Sequence, residues 1–351
     1  MKINKNHIKG RGAQSNSEHR YSSYIYDKSE ADEQTDENHS TKYIEVFPKT
    51  FINKISSPDI PMDYSMNPYE GCEHGCTYCY ARNTHPYWGY SAGLDFERII
   101  LVKKTAPDLL KKELNKKSHT ASPIMLSGNT DCYQPIERKL EITRSLLKIL
   151  LEFKHPVGII TKNSLIERDL DLLIELNQLQ LVQTVISITT LNEDLRRQLE
   201  PRTSTAINRL KTVELLAKNK IPVMVNIAPV IPGLTDMEIM KIAEKSAEAG
   251  AIGISYNIMR LPGEVEQVFT DWVKKTMPDR ANKILNQTKQ VHGGDLQDKK
   301  FGRRMRGEGV LSDSIKAQIQ IARKKYFQER ELPALRTDLF INEHNRQQKL
   351  F

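Results

Sequence analysis

The chain is poor in the residues that would declare its surroundings. Only four cysteines occur among 351 residues, too few for a disulfide framework, and in a reducing compartment clustered thiols bind metal or do redox chemistry instead. No apolar run reaches the roughly eighteen residues that a membrane span requires. The N-terminal stretch MKINKNHIKGRGAQSNSEHR has no apolar core of the kind a secretory signal carries, so a cytoplasmic location is expected. Neither a GxGxxG nor a Walker loop is present, which removes the usual signatures of dinucleotide or nucleoside triphosphate binding. Charge is lopsided only mildly, with 52 Lys and Arg against 44 Asp and Glu and a net charge of +8. That is a small bias toward polyanions such as nucleic acid.

Against this background, three of the four cysteines are crowded into GCEHGCTYCYAR, residues 71–82, as Cys72, Cys76 and Cys79 in a C-x3-C-x2-C spacing. A disulfide leaves one thiol of an odd set over. A structural zinc site wants four ligands, and with no second cysteine pair it would have to recruit His74 or His85. A [4Fe–4S] cluster takes one thiolate per iron, so three thiolates would leave one iron open to a ligand that is not protein. An open metal position marks a catalytic centre rather than a structural one.

The first forty or so residues are polar, and the run KSEADEQTDENHS at 28–40 is acidic. Residues 1–45 therefore read as a mobile polar arm that docks in places. From about Pro61, short apolar runs alternate with amphipathic ones. Strands are expected near DYSMNPYEG and at 123–131, 157–163, 181–190, 222–233 and 251–259. The helices expected between them cover 142–153, 165–179, about 205–220 with Ser204 or Thr205 as cap, and a stretch opened by a Thr235–Glu238 capping box and closed at Gly250. In the third of these, Ile207, Leu210, Val213 and Leu216 recur on one face. Strands alternating with such helices make parallel βα units, and right-handed crossovers curl the sheet one way. The expected fold is α/β, an incomplete (β/α)6 barrel of TIM type spanning residues 46–262, followed by a basic helical extension over 263–351. Chemistry collects at the C-terminal ends of such strands, where the cysteine loop lies.

C-x3-C-x2-C after the first strand of a βα-repeat chain resembles the radical SAM superfamily. NPYEGCEHGCTYCYAR, GLDFE (93–97), SGNTDCYQPIER (127–138), ISITTLNEDLRRQLEPR (186–202), APVIPG (228–233) and FGRRMRGEG (301–309) are similar to its DNA repair photolyase-like group, distantly related to spore photoproduct lyase. The resemblance implies a [4Fe–4S] cluster on Cys72, Cys76 and Cys79, with S-adenosylmethionine (SAM) chelating the open iron. It further implies reductive cleavage of SAM to a 5′-deoxyadenosyl radical, a lyase-type repair reaction on DNA, and a reductant such as flavodoxin or ferredoxin. The alternatives are a radical SAM enzyme acting on a small molecule or peptide, and a zinc-stabilised nucleic-acid-binding protein without catalysis.

The same resemblance suggests roles for single residues. Tyr78 would pack by the adenine. Asn129 and Asp131, with Thr130 between them, would meet the SAM amino group, or else form an Asx turn. Ser187 and Thr189, one face of the SITT run, would meet ribose or carboxylate, or else serve as ordinary strand residues. Glu200 and Arg202 flank Pro201, and the Arg202 fork suits the SAM carboxylate unless the two form a surface pair. Lys162 could meet a phosphate or simply be solvated. The cluster Lys299, Lys300, Arg303, Arg304 and Arg306 would bind phosphates or form a solvated basic face. Cys132, just beyond the second strand and the only cysteine outside the 71–82 loop, is the candidate hydrogen relay, while Gly128 stands where spore photoproduct lyase carries its donor cysteine. Buried packing and cluster ligation are its other possible roles.

Overall fold

The computed structural model describes residues 8–17, 40–60 and 62–346. Among them are ten strands: β1 (Lys42–Glu45), β2 (Asn53–Lys54), β3 (Tyr64–Met66), β4 (Tyr69–Glu70), β5 (Ile99–Val102), β6 (Ile124–Leu126), β7 (Val157–Thr161), β8 (Val182–Ser187), β9 (Val223–Val230) and β10 (Gly253–Ile258). The main sheet runs β10-β9-β8-β7-β6-β3-β2. From β3 through β10 every pairing in it is parallel, and only β2 is antiparallel, at the edge. β10 and β2 do not pair, so the barrel is incomplete, as the sequence led us to expect.

Helices α1 (Ala106–Leu114), α2 (Ile142–Glu152), α3 (Leu170–Gln178), α4 (Ala206–Lys218) and α5 (Ile239–Glu248) cover the outside. Strand alternation explains why. Ile124, Leu126, Val157, Ile159, Val182, Ile186, Val223, Val225 and Ile254 share one core with the helix residues Leu110, Leu146, Leu172, Leu216 and Ile242. By the two-residue period, the intervening strand residues face the inside of the barrel.

Two local expectations fail for clear reasons. The buried face of α4 is Ala206, Arg209, Thr212, Val213 and Leu216, and Ile207 is 67% exposed. A buried arginine displaced the apolar stripe by one position. The Thr235–Glu238 capping box does not form, because Thr235 accepts from the Ile231 amide (2.9 Å) and the Glu238 carboxylate receives the Thr190 hydroxyl (2.6 Å) and the Leu191 amide (2.7 Å). Thr205 does cap α4, its hydroxyl accepting from Asn208 N at 3.1 Å.

A second sheet, β1-β5-β4, was not expected. All four β1 residues are exposed, so the strand shows no alternation to read. Beyond Gly263 come α6 (Val265–Thr276), α7 (Pro278–Val291) and α8 (Val310–Tyr326). Arg323 of α8 donates to the Ile254 carbonyl from both Nε (3.2 Å) and Nη2 (2.9 Å), covering the β10 edge. Val265, Phe269, Trp272 and Ile284 of α6 and α7 form a second core that includes Cys76 and Tyr78. Of the helices after Gly263, α6 and α7 thus share a core with the cysteine loop. Of the segment read as an arm, residues 8–17 and 42–45 lie packed on the fold, while most of the acidic run falls outside the described residues.

Candidate functional site

The site begins where β3 ends. Asn67 Oδ1 accepts the Asn129 amide at 3.0 Å and ties the first two parallel strands together at their C-terminal ends. β4 then leads into the cysteine loop through Gly71 (φ +79°) and Gly75 (φ +67°). A Cβ at Gly75 would stand 2.7 Å from Glu97 Oε2, so both conformation and space require glycine there. The loop is anchored from outside by Cys72 N to Phe96 O (2.9 Å) and Thr77 N to Leu199 O (3.0 Å). Arg82, fully buried, donates from Nε to the Cys76 carbonyl (3.0 Å) and pairs with Glu97.

Cys72, Cys76 and Cys79 are free thiols, the first two buried and the third partly so. Burial pushes all three pKa values up, and the Asp131 charge adds to this at Cys72. The loop therefore holds protonated thiols until a cation displaces the protons. Among the described residues no three His, Cys, Asp or Glu side chains converge on the position of one metal ion. The histidines are also engaged. His74 Nδ1 lies 3.4 Å from Asp131 Oδ2 and its Nε2 3.1 Å from Asn163 Nδ2. His85 Nε2 meets the Ile99 carbonyl at 3.0 Å, and its ring stands edge-on to Phe96. A zinc ion completed by either histidine does not fit. Three free thiols on one loop are a donor set that suits a cluster taking one thiolate per iron.

Tyr78, Thr189 and Glu200 come together in one buried network. The Tyr78 hydroxyl donates to Glu200 and lies 3.2 Å from the Thr189 hydroxyl. Thr189 Oγ1 is 2.7 Å from Glu200 Oε1. Arg209, which the sequence reading missed, completes it: Nη2 reaches Glu200 Oε2 at 2.5 Å and Nη1 the Ser187 carbonyl at 2.9 Å. Its signal was a cation at the position between Ala206 and Val213 on a helix face. Burial opposes ionisation of Glu200, but Arg209, Lys162 and the two hydroxyls outweigh it and hold the carboxyl at about 2. Lys162 Nζ sits 5.9 Å from the centre of the Tyr78 ring.

Lys162 also belongs to the inner face of the barrel. The register pairs Ile160 with Val185, and Ser187 with Asn226, which pairs with Ser255. Lys162 follows Ile160 by two and shares its face. A polar layer of Lys162, Ser187, Asn226 and Ser255 thus crosses four strands, at the C-terminal ends of β7 and β8 and midway along β9 and β10, with Ser255 Oγ 2.9 Å from Asn226 Oδ1. Asn226 and Ser255 had drawn no notice in the sequence, although a polar residue amid the apolar run PVMVNIAPV was the available signal.

The other residues singled out from sequence lie apart. Asp131 takes the Thr161 hydroxyl (2.7 Å) and the Tyr133 amide (2.9 Å) on one oxygen and the Lys162 amide (2.8 Å) on the other. Burial raises its pKa, but His74 and these donors bring it down to about 2. Asn129 is half-buried, and its side-chain amide has no protein partner among the described residues. Arg202 pairs with Glu73 at 3.3 Å and leaves the Tyr78 network to Glu200. Cys132 is completely buried in the outer core with Tyr69 and Tyr133, not in the core that holds Cys76. In the basic loop, Arg303 pairs with Asp298 and Glu308, Arg304 with Asp59, and Arg306 donates to the Tyr256 carbonyl over its ring. Lys299 and Lys300 are exposed. Arg260, two residues past β10, has no acceptor among the described residues. Burial and the nearby Arg304 charge lower its pKa.

A sequence model of the radical SAM superfamily matches residues 66–246. An uncharacterized protein of Mycobacterium tuberculosis is 31% identical over 242 residues, 68% of this chain and 71% of its own length. One from Methanocaldococcus jannaschii is 30% identical over 201 residues, 57% of this chain and 72% of its own. Among solved structures, spore photoproduct lyase complexed with dinucleoside spore photoproduct superposes with a TM-score of 0.60 at 17% identity, covering 83% of this chain and 81% of that one. A mutant of the same enzyme with bound AdoMet and the dinucleoside gives 0.59 at 16% identity over the same shares. At these identities the likeness establishes the fold. No helix among the described residues is long and apolar enough to cross a membrane.

Proposed function

Since the chain belongs to the radical SAM superfamily, we propose that it is an enzyme that abstracts hydrogen from a nucleic-acid-type substrate at the open mouth of its barrel. Its cofactors are a [4Fe–4S] cluster and SAM. When bound they supply a one-electron reductive cleavage that yields a hydrogen-abstracting carbon radical. The electron comes from an external donor, for which we assign a flavodoxin or ferredoxin.

One arrangement carries this reading. Three thiols of a single loop lie at the C-terminal end of the first parallel strand, and a cation, Lys162, stands by the ring between two of them. Cys72, Cys76 and Cys79 would each hold one iron of the cluster and leave the remaining iron for SAM. Lys162 is the available partner for the SAM carboxylate, and the unengaged Asn129 amide for its polar end. Ser187, Asn226 and Ser255 offer hydroxyl and amide groups to a ribose. Tyr78 presents its ring edge and body while Glu200, Thr189 and Arg209 fix it. Arg202 and Asp131 position the loop through Glu73 and His74. Cys132, shut in the outer core, packs.

A nucleic acid substrate draws support from the net charge of +8, from Arg260 at the barrel mouth, and from the dinucleoside held by the two similar structures. The test is anaerobic. Reconstituted, dithionite-reduced protein is given SAM with and without ultraviolet-irradiated oligothymidylate, and 5′-deoxyadenosine is measured. Release of 5′-deoxyadenosine that rises with the irradiated oligonucleotide supports both parts. Release that the oligonucleotide does not change moves the substrate to a small molecule or peptide, and no release overturns the assignment of catalysis.

A further inference from the structure

We propose that residues 8–17 form a positioning strap for the cysteine loop, holding the Gly75–Cys76 backbone in its ligating conformation and shielding its outer side. The proposal rests on the radical SAM reading of that loop. The strap's contacts converge on one fully buried carboxylate. Gly12 N donates to Glu97 Oε2 at 3.0 Å and Ala13 N to Glu97 Oε1 at 2.8 Å, while Arg11 Nη1 donates to the Glu97 carbonyl at 2.6 Å. Glu97 pairs in turn with Arg82, whose Nε holds the Cys76 carbonyl. A chain of charge-assisted bonds therefore runs from the strap amides through Glu97 and Arg82 to the backbone of a cluster ligand.

The fit is also steric. A Cβ at Gly12 would lie 1.8 Å from the Gly75 carbonyl oxygen, and one at Gly93 would lie 2.2 Å from the Ser15 carbonyl oxygen. Two backbones thus touch where no side chain can intervene. Further along, Asn16 and Asp95 exchange reciprocal bonds of 2.8 and 3.0 Å, and Ser17 N reaches Ser91 Oγ at 2.9 Å. The strap takes little part in the main core: Ile8 and Ala13 pack only with Leu94 and Val268. Its bonding is directed at residues 91–97, which back the loop, and Glu97 would be left with two vacant acceptor positions without it. A shift of the Cys76 backbone alters the orientation of its sulfur and the hydrogen bonds and solvent around the cluster, which set a cluster's potential.

Two variants test this: Gly12→Val in the full chain, which drives a side chain into the Gly75 carbonyl, and deletion of residues 1–17, which introduces no clash. The apo-protein is treated with iodoacetamide and its cysteine peptides are followed by mass spectrometry. Separately, the anaerobically reconstituted protein is reduced and its cluster signal recorded by electron paramagnetic resonance, with and without SAM, together with its midpoint potential. The strap predicts severalfold faster alkylation of Cys76 with Cys132 still protected, an altered cluster signal and a shifted potential. Wild-type alkylation, signal and potential in Gly12→Val would overturn it. If Gly12→Val also exposes Cys132, the fold has opened, and the deletion variant decides by the same readouts. A wild-type chain that forms no cluster strikes the radical SAM reading instead, while the alkylation arm still judges the strap.

Discussion

The Tyr78 phenol donates a hydrogen bond to the Glu200 carboxylate, 122 residues further along the chain. This bond fastens the cysteine loop to the segment that follows β8, Arg209 fastens the same carboxylate to α4, and the Thr189 hydroxyl has the carboxylate and the Ala228 carbonyl as its two acceptors in reach. The aromatic beside the last cysteine of the loop is therefore set by the β8–α4 unit and by β9. Loop geometry and barrel packing are coupled at one buried ionised group.

Glu200→Gln is expected to destabilise the protein by about 3–5 kcal/mol, because it leaves the Arg209 guanidinium buried and unpaired. Urea unfolding of the apo-protein measures the loss. The pH dependence carries a sign as well. The folded pKa of about 2 lies below the ordinary carboxyl value, so the stabilisation is full above roughly pH 4.3 and fades as pH falls toward 2. The variant should lack that part of the acid-side decline. An acid limb identical to wild type would show that Glu200 is not the group titrating there.

Each of Cys72→Ala, Cys76→Ala and Cys79→Ala should abolish the cluster, since one thiolate per iron leaves no spare ligand. Cys132→Ala should keep wild-type iron and sulfide and cost about 1 kcal/mol of stability, as expected of a small core truncation. Iron and sulfide analysis after anaerobic reconstitution separates the two groups. Loss of the cluster in Cys132→Ala would make that thiol a ligand, and loss of turnover with the cluster intact would make it a relay.

Lys162→Ala should weaken SAM binding by about tenfold or more, the equivalent of one charged hydrogen bond at about 1.5–3 kcal/mol. Arg202→Ala should leave it nearly unchanged, because that guanidinium lies against Glu73. Equilibrium binding of SAM to the reconstituted, unreduced protein measures both. The opposite ranking would return the carboxylate to Arg202.

The parallel strands were legible because β-branched runs, bounded by helices of ordinary length, allow few topologies. The cysteine loop was legible from spacing alone. What escaped the sequence was whatever depends on distant partners. Glu200 and Arg202 stand two residues apart and look equivalent, yet one is buried with Arg209 and the other lies half-exposed against Glu73. The arginines of FGRRMRGEG suggest a phosphate surface until Asp59, Asp298 and Glu308 are seen to hold two of them. Arg209 itself hid in an apolar periodicity that slid by one residue to accommodate it. Residues 8–17 looked like the start of a polar tail because their contacts are made by backbone amides and short polar side chains with partners some eighty residues away, which no composition records.

Arg260 supplies the sharpest test of the substrate class. It has no acceptor among the described residues, and Arg304 repels it. Asp298 and Asp59 attract it in turn, so with opposing charges offsetting and no hydrogen bond lost, its removal should leave the melting temperature near that of wild type. If Arg260 instead waits for a substrate phosphate, Arg260→Ala should weaken binding of oligothymidylate. The slope of log affinity against log salt should then fall by about 0.7, the counterion release of a single phosphate contact on a single strand. Arg303→Ala is the contrasting case: its guanidinium pins Asp298 and Glu308, so it should lower the melting temperature and change the slope little. Fluorescence anisotropy at a series of salt concentrations gives both slopes. An Arg260→Ala slope equal to that of wild type would remove this residue from the phosphate path and leave the two exposed lysines, Lys299 and Lys300, as the groups to examine.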